Sequence, residues 1–160
     1  MARSIDIVEM KDPVVAIALG FGSGLVPRAP GTAGTLVAVP LCMALQHLSL
    51  ALYAVFTAIV VIVGIFICSY AAKKLGVHDH PAIVIDEVAG FLITMLAVPQ
   101  GWQWLVAGFI LFRFFDVLKP WPISWLDKNV KGGFGIMADD VLAGLASLAL
   151  LHGYLMITGH

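Results

Sequence analysis

The sequence has few charged residues for its length. Only 12% of its 160 residues are Asp, Glu, Lys or Arg, whereas 61% are hydrophobic, and the mean hydropathy is +0.99. A soluble domain carries roughly 25% charged residues. The composition therefore excludes an ordinary soluble domain and predicts that most of the surface faces a lipid bilayer. The length predicts a single domain over residues 1–160.

Other scarcities exclude further classes of protein. The two cysteines, Cys42 and Cys68, lie far apart in apolar runs, which fits neither a disulfide framework nor a metal-binding spacing. We interpret both as packing residues. The net charge of −1 argues against a nucleic-acid partner. Residues 1–12 are too charged for a secretory signal and lack its small-residue cleavage site.

Five apolar stretches predict an all-α, polytopic membrane protein with about five transmembrane helices. A helix needs about 20 apolar residues to cross a bilayer. Residues 13–22 are too short for this, and we expect an interfacial or re-entrant segment there. The predicted crossings are residues 32–45, 50–72, 83–98, 105–118 and 141–157.

The charges fall at one end of these predicted crossings. In an alternating topology, residues 1–31, 73–82 and 119–140 share one side of the membrane. All nine basic residues belong on or near that side: Arg3, Lys11, Arg28, Lys73, Lys74, Arg113, Lys119, Lys128 and Lys131. The positive-inside rule then predicts that this side is cytoplasmic and that the C-terminus lies outside.

Five carboxylates belong to the same end, namely Asp86, Glu87, Asp116, Asp139 and Asp140. Helix capping would explain Asp86 or Asp139 alone. It does not explain Asp116, which lies near the end of its helix, where the dipole disfavours a negative charge. Ionisable groups at a membrane edge are costly and usually functional, and carboxylate oxygens suit Mg²⁺ that also binds phosphate. We therefore predict a Mg²⁺ site formed by these five residues.

Two further segments supply groups that bind phosphate. The glycine-rich residues 20–35 lead into the first crossing, where backbone amides at a helix start can approach an anion; a flexible packing loop is the alternative. Arg113, Asp116 and Lys119 are three residues apart and share a helix face, either as a surface ion-pair ladder or as ligands of metal and phosphate. The predicted substrate-binding residues are Arg28, Gly31, Thr32, Arg113 and Lys119.

Two acids precede glycines at the same spacing. Asp86 lies four residues before Gly90, and Asp140 lies four residues before Gly144. An alanine immediately precedes each of these glycines. Small residues allow close approach of a neighbouring helix, so we expect both acids on tightly packed helix starts. The shared spacing predicts that Asp140 is a direct metal ligand and that Asp139 supports it.

Four blocks of the sequence, taken together and in this order, closely resemble the phosphatidylglycerophosphatase A family of Gram-negative bacteria. They are GFGSGLVPRAPGTAGT, VHDHPAIVIDEVAG, FRFFDVLKPWPISWLD and GGFGIMADDVLAG. The resemblance covers nearly the whole chain. It implies a multi-pass inner-membrane enzyme that uses Mg²⁺ to hydrolyse a membrane phospholipid, phosphatidylglycerophosphate, to phosphatidylglycerol and inorganic phosphate in phospholipid metabolism. The residues themselves indicate only phosphate, metal and a lipid-accessible cytoplasmic face.

The expected chemistry is metal-assisted hydrolysis of a phosphate ester. The predicted catalytic residues are Asp86, Glu87, Asp116 and Lys119, with Glu87 as a candidate general base. His78 and His80 could protonate the leaving alkoxide, although histidines of a surface loop are the commoner interpretation. A small transporter or channel with an acidic cation site is the alternative function. Its acids would be spread through the depth of the bilayer, whereas these gather at one end.

Overall fold

The computed structural model describes residues 10–77 and 80–159, which form helices and connecting turns without any strand. The predicted all-α fold is thus confirmed. A 3-10 segment, Gly20–Leu25, lies between the first two helices. The α-helices in these ranges are α1 (Pro13–Ala18), α2 (Pro30–Leu45), α3 (Leu50–Leu75), α4 (Ile85–Thr94), α5 (Trp102–Leu118), α6 (Ile123–Asn129) and α7 (Gly132–Thr158).

Local sequence signals set the ends of the long apolar helices. Ser49 caps α3, where its hydroxyl oxygen accepts a hydrogen bond from the Leu52 amide at 3.4 Å. Gly76 ends α3 in the left-handed region with a φ of 71°, which glycine adopts without strain. Pro30 lies in the first turn of α2. Backbone amides there have no partner within the helix, so a proline, which has no N–H, costs no helical hydrogen bond.

Helix α4 forms the centre of the bundle. Residues 88–94 of this helix are all buried, and α4 packs against α2, α3, α5 and α7. Phe91 makes edge-on ring contacts with Phe109 and Phe112 of α5. The first turn of α4, which carries Asp86 and Glu87, is therefore held by four neighbouring helices.

Glycines allow α4 and α7 to cross at close range. A Cβ atom added to Gly90 would lie 2.8 Å from the carbonyl oxygen of Asp140 and 2.4 Å from a ring carbon of Phe112. The close approach expected from the Ala-Gly pairs is confirmed. As a result, the acids in the first turn of α4 lie beside the acids of α7.

The prediction of about five crossings is wrong in number. Among the described residues, two helices are long and apolar enough to cross a membrane, α3 with 26 residues and α7 with 27. Helices α2, α4 and α5 have 16, 10 and 17 residues, fewer than the about 20 that a crossing needs. The run 83–98 is interrupted because α4 ends at Thr94, and Arg113 and Asp116 lie in the last turns of α5.

The start of α7 also differs from the prediction. The helix begins at Gly132, so Asp139 and Asp140 lie within it rather than at its first turn. Glycine residues are unfavourable inside a helix, but tertiary packing outweighs this cost at the start of α7. A Cβ atom on Gly133 would lie 2.1 Å from the carbonyl oxygen of Ile65, and the Gly133 amide donates to Ser69 Oγ at 3.1 Å.

Residues 13–22 do not form an independent segment. They make up α1 and the beginning of the 3-10 segment. Val15, Ala18 and Leu19 are completely buried, and α1 packs against α3. This short segment therefore belongs to the packed bundle near the start of α2.

Candidate active site

One cavity collects all five carboxylates that the sequence singles out. It has a volume of about 220 Å³ and lies where the first turns of α2 and α4, the end of α5 and the second and third turns of α7 meet. Its lining includes Asp86 and Glu87 of α4, Asp116 of α5, and Asp139 and Asp140 of α7. Residues from three helices are thus brought to one place, as the sequence predicts.

Three of the acids lie close enough to share one cation. Asp86, Glu87 and Asp140 each offer a carboxylate oxygen, and these oxygens lie within 4.8 Å of one another. The buried Oε2 of Glu87 has no hydrogen-bond partner in the described part of the chain. Such an oxygen is costly to bury unless something compensates it. The donor set and this unsatisfied oxygen fit a hard divalent cation such as Mg²⁺.

Arg113 lies on the same side of the cavity as Asp116. Its Nη1 donates to Asp116 Oδ2 in a salt bridge three residues along α5, with both side chains largely buried. Within the described residues, the buried Nε of Arg113 has no hydrogen-bond partner. The guanidinium thus holds Asp116 in place and still has an N–H donor for a further hydrogen bond.

Lys119 occupies a different position from the one expected. Helix α5 ends at Leu118, and Lys119 follows it in the left-handed region. Lys119 therefore does not share a helix face with Arg113 and Asp116. Its ammonium instead reaches across to α7 and donates to Asp139 Oδ2 at 2.5 Å.

The surroundings of Glu87 and Lys119 in the cavity shift the pKa of each group. Burial, followed by the negative charge of Asp140, raises the pKa of Glu87 to about 8. Glu87 stands in the first turn of α4, a helix too short to cross a bilayer. Burial opposes the charged form of Lys119, but its hydrogen bonds to Asp127 and Asp139 outweigh this and raise its pKa above the usual range. Below about pH 8, Glu87 without a bound cation is therefore mainly protonated, whereas Lys119 keeps its charge.

The glycine-rich segment contributes the backbone at the start of α2. Ala29, Pro30 and Gly31 line the cavity. A Cβ atom on Gly31 would lie 2.2 Å from Glu87 Oε1 and 2.9 Å from Arg113 Nη1. The site therefore requires glycine at this position, and the amino-terminal end of α2 meets the cavity.

Two predicted substrate-binding residues do not line the cavity. Arg28 is exposed on the turn before α2, and Thr32 is half-buried one residue beyond Gly31. His80 is also absent from the lining. It is buried rather than exposed on a surface loop, and its Nδ1 accepts a hydrogen bond from the Ala82 amide at 3.2 Å. His78 lies outside the described residues.

Sequence reasoning missed Asp127 of α6 and the apolar part of the wall. Asp127 Oδ1 accepts a hydrogen bond from Lys119 Nζ at 2.6 Å, although Asp127 does not line the cavity. The only sequence signal was an acid eight residues after a lysine, across a proline-rich turn. Pro81, Ile83, Val117 and Ile136 complete the wall. Apolar residues of this kind cannot be distinguished from core residues by pattern alone.

Comparisons with known proteins match almost the whole chain. A family model described as phosphatidylglycerophosphatase A matches residues 16–155. Phosphatidylglycerophosphatase A of Escherichia coli K12 is 46% identical over 91% of this chain and 85% of its own length. The Haemophilus influenzae protein of the same name is 42% identical over 90% of both chains.

A third relative carries a different name. A Bacteroides thetaiotaomicron protein provisionally named phosphatidylinositol-3-phosphatase is 44% identical over 86% of this chain and 90% of its own. No solved structure matches the chain.

Proposed function

The chain belongs to the phosphatidylglycerophosphatase A family, and we propose that it is a Mg²⁺-dependent phosphatase that hydrolyses phosphatidylglycerophosphate to phosphatidylglycerol and inorganic phosphate. The cavity carries this proposal, because it gathers five carboxylates around two basic side chains. The names of the relatives supply the substrate. They include two different phospholipid phosphates, so the common chemistry is hydrolysis of a phosphate monoester on a lipid.

Charge balance supports the metal requirement. The cavity wall has five carboxyl groups and two basic side chains, so with every carboxyl deprotonated, as metal binding requires, it holds three more negative than positive charges. A phosphate group would be repelled from such a wall unless a cation lay between them. We propose that Asp86, Glu87 and Asp140 hold the Mg²⁺, with Asp116 and Asp139 completing its surroundings. When bound, Mg²⁺ would supply a Lewis acid for the phosphate oxygens and lower the pKa of a bound water.

The chain's own residues would bind and orient the phosphate. Arg113 and Lys119 lie on the cavity wall, where both offer N–H donors and positive charge to phosphate oxygens. The amide of Gly31, at the start of α2, offers a further donor with the favourable end of the helix dipole. Arg28 and Thr32 flank this helix start and would contact the lipid head group from outside the cavity.

Glu87 is the proposed general base. It would take a proton from the attacking water as the new O–P bond forms and the bond to the lipid oxygen breaks. The proton is then delivered to the departing lipid alkoxide. The Glu87 oxygen that does not bind the metal would accept this proton; the pKa of about 8 belongs to the carboxyl without a cation, and a bound cation would lower it. Asp116 would help to orient this water, since its salt bridge with Arg113 fixes its position.

The surface of the long helices supports insertion in a bilayer. Only 17% of the apolar window of α3 and 28% of that of α7 is buried, so most of their side chains would meet lipid. We propose that α3 and α7 cross the bacterial inner membrane, and that α2, together with the turns at its two ends, leads from the cavity to the opposite surface where α3 begins. Lys73 and Lys74 at the end of α3, with Lys128 and Lys131 before α7, would make the active-site end cytoplasmic.

This orientation can be tested by labelling. A single cysteine placed at position 128, after replacement of Cys42 and Cys68, should react with an impermeant thiol reagent only after the inner membrane is opened. A cysteine at Ile157, near the end of α7, should react in cells whose outer membrane alone is permeable. Reversal of this pattern would overturn the orientation.

The enzymatic proposal is tested with a panel of phosphates. The purified protein in detergent should release phosphate from phosphatidylglycerophosphate in the presence of Mg²⁺. Phosphatidylinositol 3-phosphate and water-soluble glycerol 3-phosphate are the comparison substrates. Faster hydrolysis of either comparison substrate would contradict the proposed specificity, and no hydrolysis of any of them would contradict the proposed function.

A further inference from the structure

Two carboxylates from different helices share the ammonium of Lys119. Lys119 Nζ donates to Asp139 Oδ2 at 2.5 Å and to Asp127 Oδ1 at 2.6 Å. The exposed fraction of the side chains rises from 9% at Asp139 to 27% at Lys119 and 34% at Asp127. The ammonium of Lys119 thus lies between a buried carboxylate on the cavity wall and a more exposed carboxylate outside it.

The backbone around these residues has a special geometry. Lys119 adopts a φ of 42° and a ψ of 57° at the end of α5, a conformation that few residues other than glycine adopt. Helix α6 follows after a short turn, packs against α7 and buries Ile123. This arrangement directs both Lys119 and Asp127 to the same point beside Asp139.

We propose that Asp127 is a positioning residue, which holds the Lys119 ammonium at the mouth of the cavity so that it can bind a phosphate oxygen of the substrate. The proposal rests on the proposed function, since it assigns Lys119 to the substrate phosphate. A lysine ammonium has three N–H donors. Asp127 and Asp139 accept two of them, which leaves one for the phosphate.

The two carboxylates act on Lys119 in opposite directions. Asp139 lies on the cavity wall, whereas Asp127 lies outside the lining. Without Asp127, only Asp139 of these two carboxylates would accept a hydrogen bond from Lys119. Asp139 would then draw the Lys119 ammonium onto the cavity wall. Lys119 would then neutralise Asp139 and withdraw from the incoming phosphate, so substrate binding would weaken more than turnover.

A purely structural role for Asp127 makes a different prediction. If its salt bridge only fastened α6 to the end of α5, its loss would lower the melting temperature without changing phosphate affinity. If Asp127 only repelled the anionic substrate, its loss would strengthen phosphate binding. Phosphate affinity should therefore fall if Asp127 positions Lys119, stay unchanged if its role is structural, and rise if it only repels the substrate.

The test compares Asp127→Ala with Asp127→Glu, which keeps the charge, and Lys128→Gln, a control for an exposed charge on the same helix. KM and kcat are measured with phosphatidylglycerophosphate, and equilibrium dialysis with radiolabelled inorganic phosphate and Mg²⁺ gives a dissociation constant without turnover. For Asp127→Ala we expect KM and this Kd to rise about threefold to tenfold, because the hydrogen bond from Lys119 to the phosphate is weakened but not removed. Asp127→Glu should recover most of the loss, and Lys128→Gln should resemble the wild type.

A double-mutant cycle tests whether Asp127 acts through Lys119. In a Lys119→Gln background, Asp127→Ala should cause no further change in phosphate Kd. An equal loss in both backgrounds would overturn the proposal, as would an unchanged or lower Kd in a folded Asp127→Ala protein. If that protein does not fold, Asp127→Asn, which keeps the side-chain shape, takes its place in the same comparisons.

The two proposals can fail separately. A wild-type protein that hydrolyses none of the lipid phosphates would contradict the proposed function, yet the dialysis would still report whether Asp127 sets phosphate affinity. An active wild type whose phosphate Kd does not depend on Asp127 would contradict the positioning role alone.

Discussion

A Cβ atom added to Gly144 would lie 2.5 Å from the carbonyl oxygen of Gly90. Helices α4 and α7 therefore meet backbone to backbone about one turn after Asp86 and Asp140. This crossing fixes the separation of the two acids, because neither helix can move closer and any side chain at the crossing would push them apart. The packing of two apolar helices thus sets the geometry of a charged site.

The crossing predicts a sharp difference between two glycines of α7. Gly144→Ala should lower the free energy of unfolding by about 1–3 kcal/mol, as overpacking of a close contact does, and should reduce activity. Gly153 is the matched control, since a Cβ atom there would meet nothing within 4 Å. Gly153→Ala should be neutral or stabilising by up to about 1 kcal/mol, because alanine favours a helix more than glycine. Thermal unfolding in detergent measures both; equal effects would contradict the close crossing.

Gly31 makes a prediction about the site itself. Gly31→Ala places a methyl group against Glu87 and Arg113, so one of these side chains must move. We expect at least a tenfold loss of kcat/KM, equivalent to about 1.4 kcal/mol, with a melting temperature near that of the wild type. Gly153→Ala again serves as the control. Retained activity in Gly31→Ala would show that neither side chain needs its observed position.

Asp139 and Asp140 are adjacent but have different partners. Asp140 lies with Asp86 and Glu87, whereas Asp139 pairs with Lys119. Asp140→Asn should therefore raise the Mg²⁺ concentration needed for half-maximal activity at least tenfold, since Mg²⁺ binds a carboxylate more strongly than an amide. Asp139→Asn should instead mainly change KM for the lipid. Activity measured over a Mg²⁺ titration decides this; identical Mg²⁺ curves for the two variants would contradict the assignment.

Much of this site could be predicted from the sequence. The five acids and Arg113 can be found because charges are rare in the chain and gather at one predicted membrane side, and Gly31 because it lies in a glycine-rich segment that leads into a predicted helix. The number of crossings could not be predicted, because an apolar run does not show that α4 ends at Thr94 or that α7 starts at Gly132. The start of α7 depends on the contact of Gly133 with Ile65 and Ser69 of α3. The Lys119–Asp127 pair depends on the left-handed turn after α5, which no periodicity indicates.

The raised pKa of Glu87 predicts a pH-dependent metal affinity. At pH values below the Glu87 pKa of about 8, Glu87 carries a proton that Mg²⁺ must displace. If one proton is displaced, the Mg²⁺ concentration for half-saturation should fall by about tenfold per pH unit between pH 6 and 8, and then become constant. Binding of Mn²⁺, followed by electron paramagnetic resonance, gives this value without turnover. Glu87→Gln should remove the slope, and a pH-independent affinity in the wild type would contradict the role of Glu87 as a ligand.

The most direct test of the central claim is phosphate release from phosphatidylglycerophosphate in vesicles that contain the purified protein. Release should require Mg²⁺, stop after chelation with EDTA and resume when Mg²⁺ is restored. Asp140→Asn, at equal protein level and with a wild-type melting temperature, should release phosphate at least about a hundredfold more slowly at 1 mM Mg²⁺, a barrier increase of about 2.7 kcal/mol. Full release by the wild type after thorough chelation, or by Asp140→Asn at the wild-type rate, would contradict a Mg²⁺-dependent lipid phosphatase built on this carboxylate cavity.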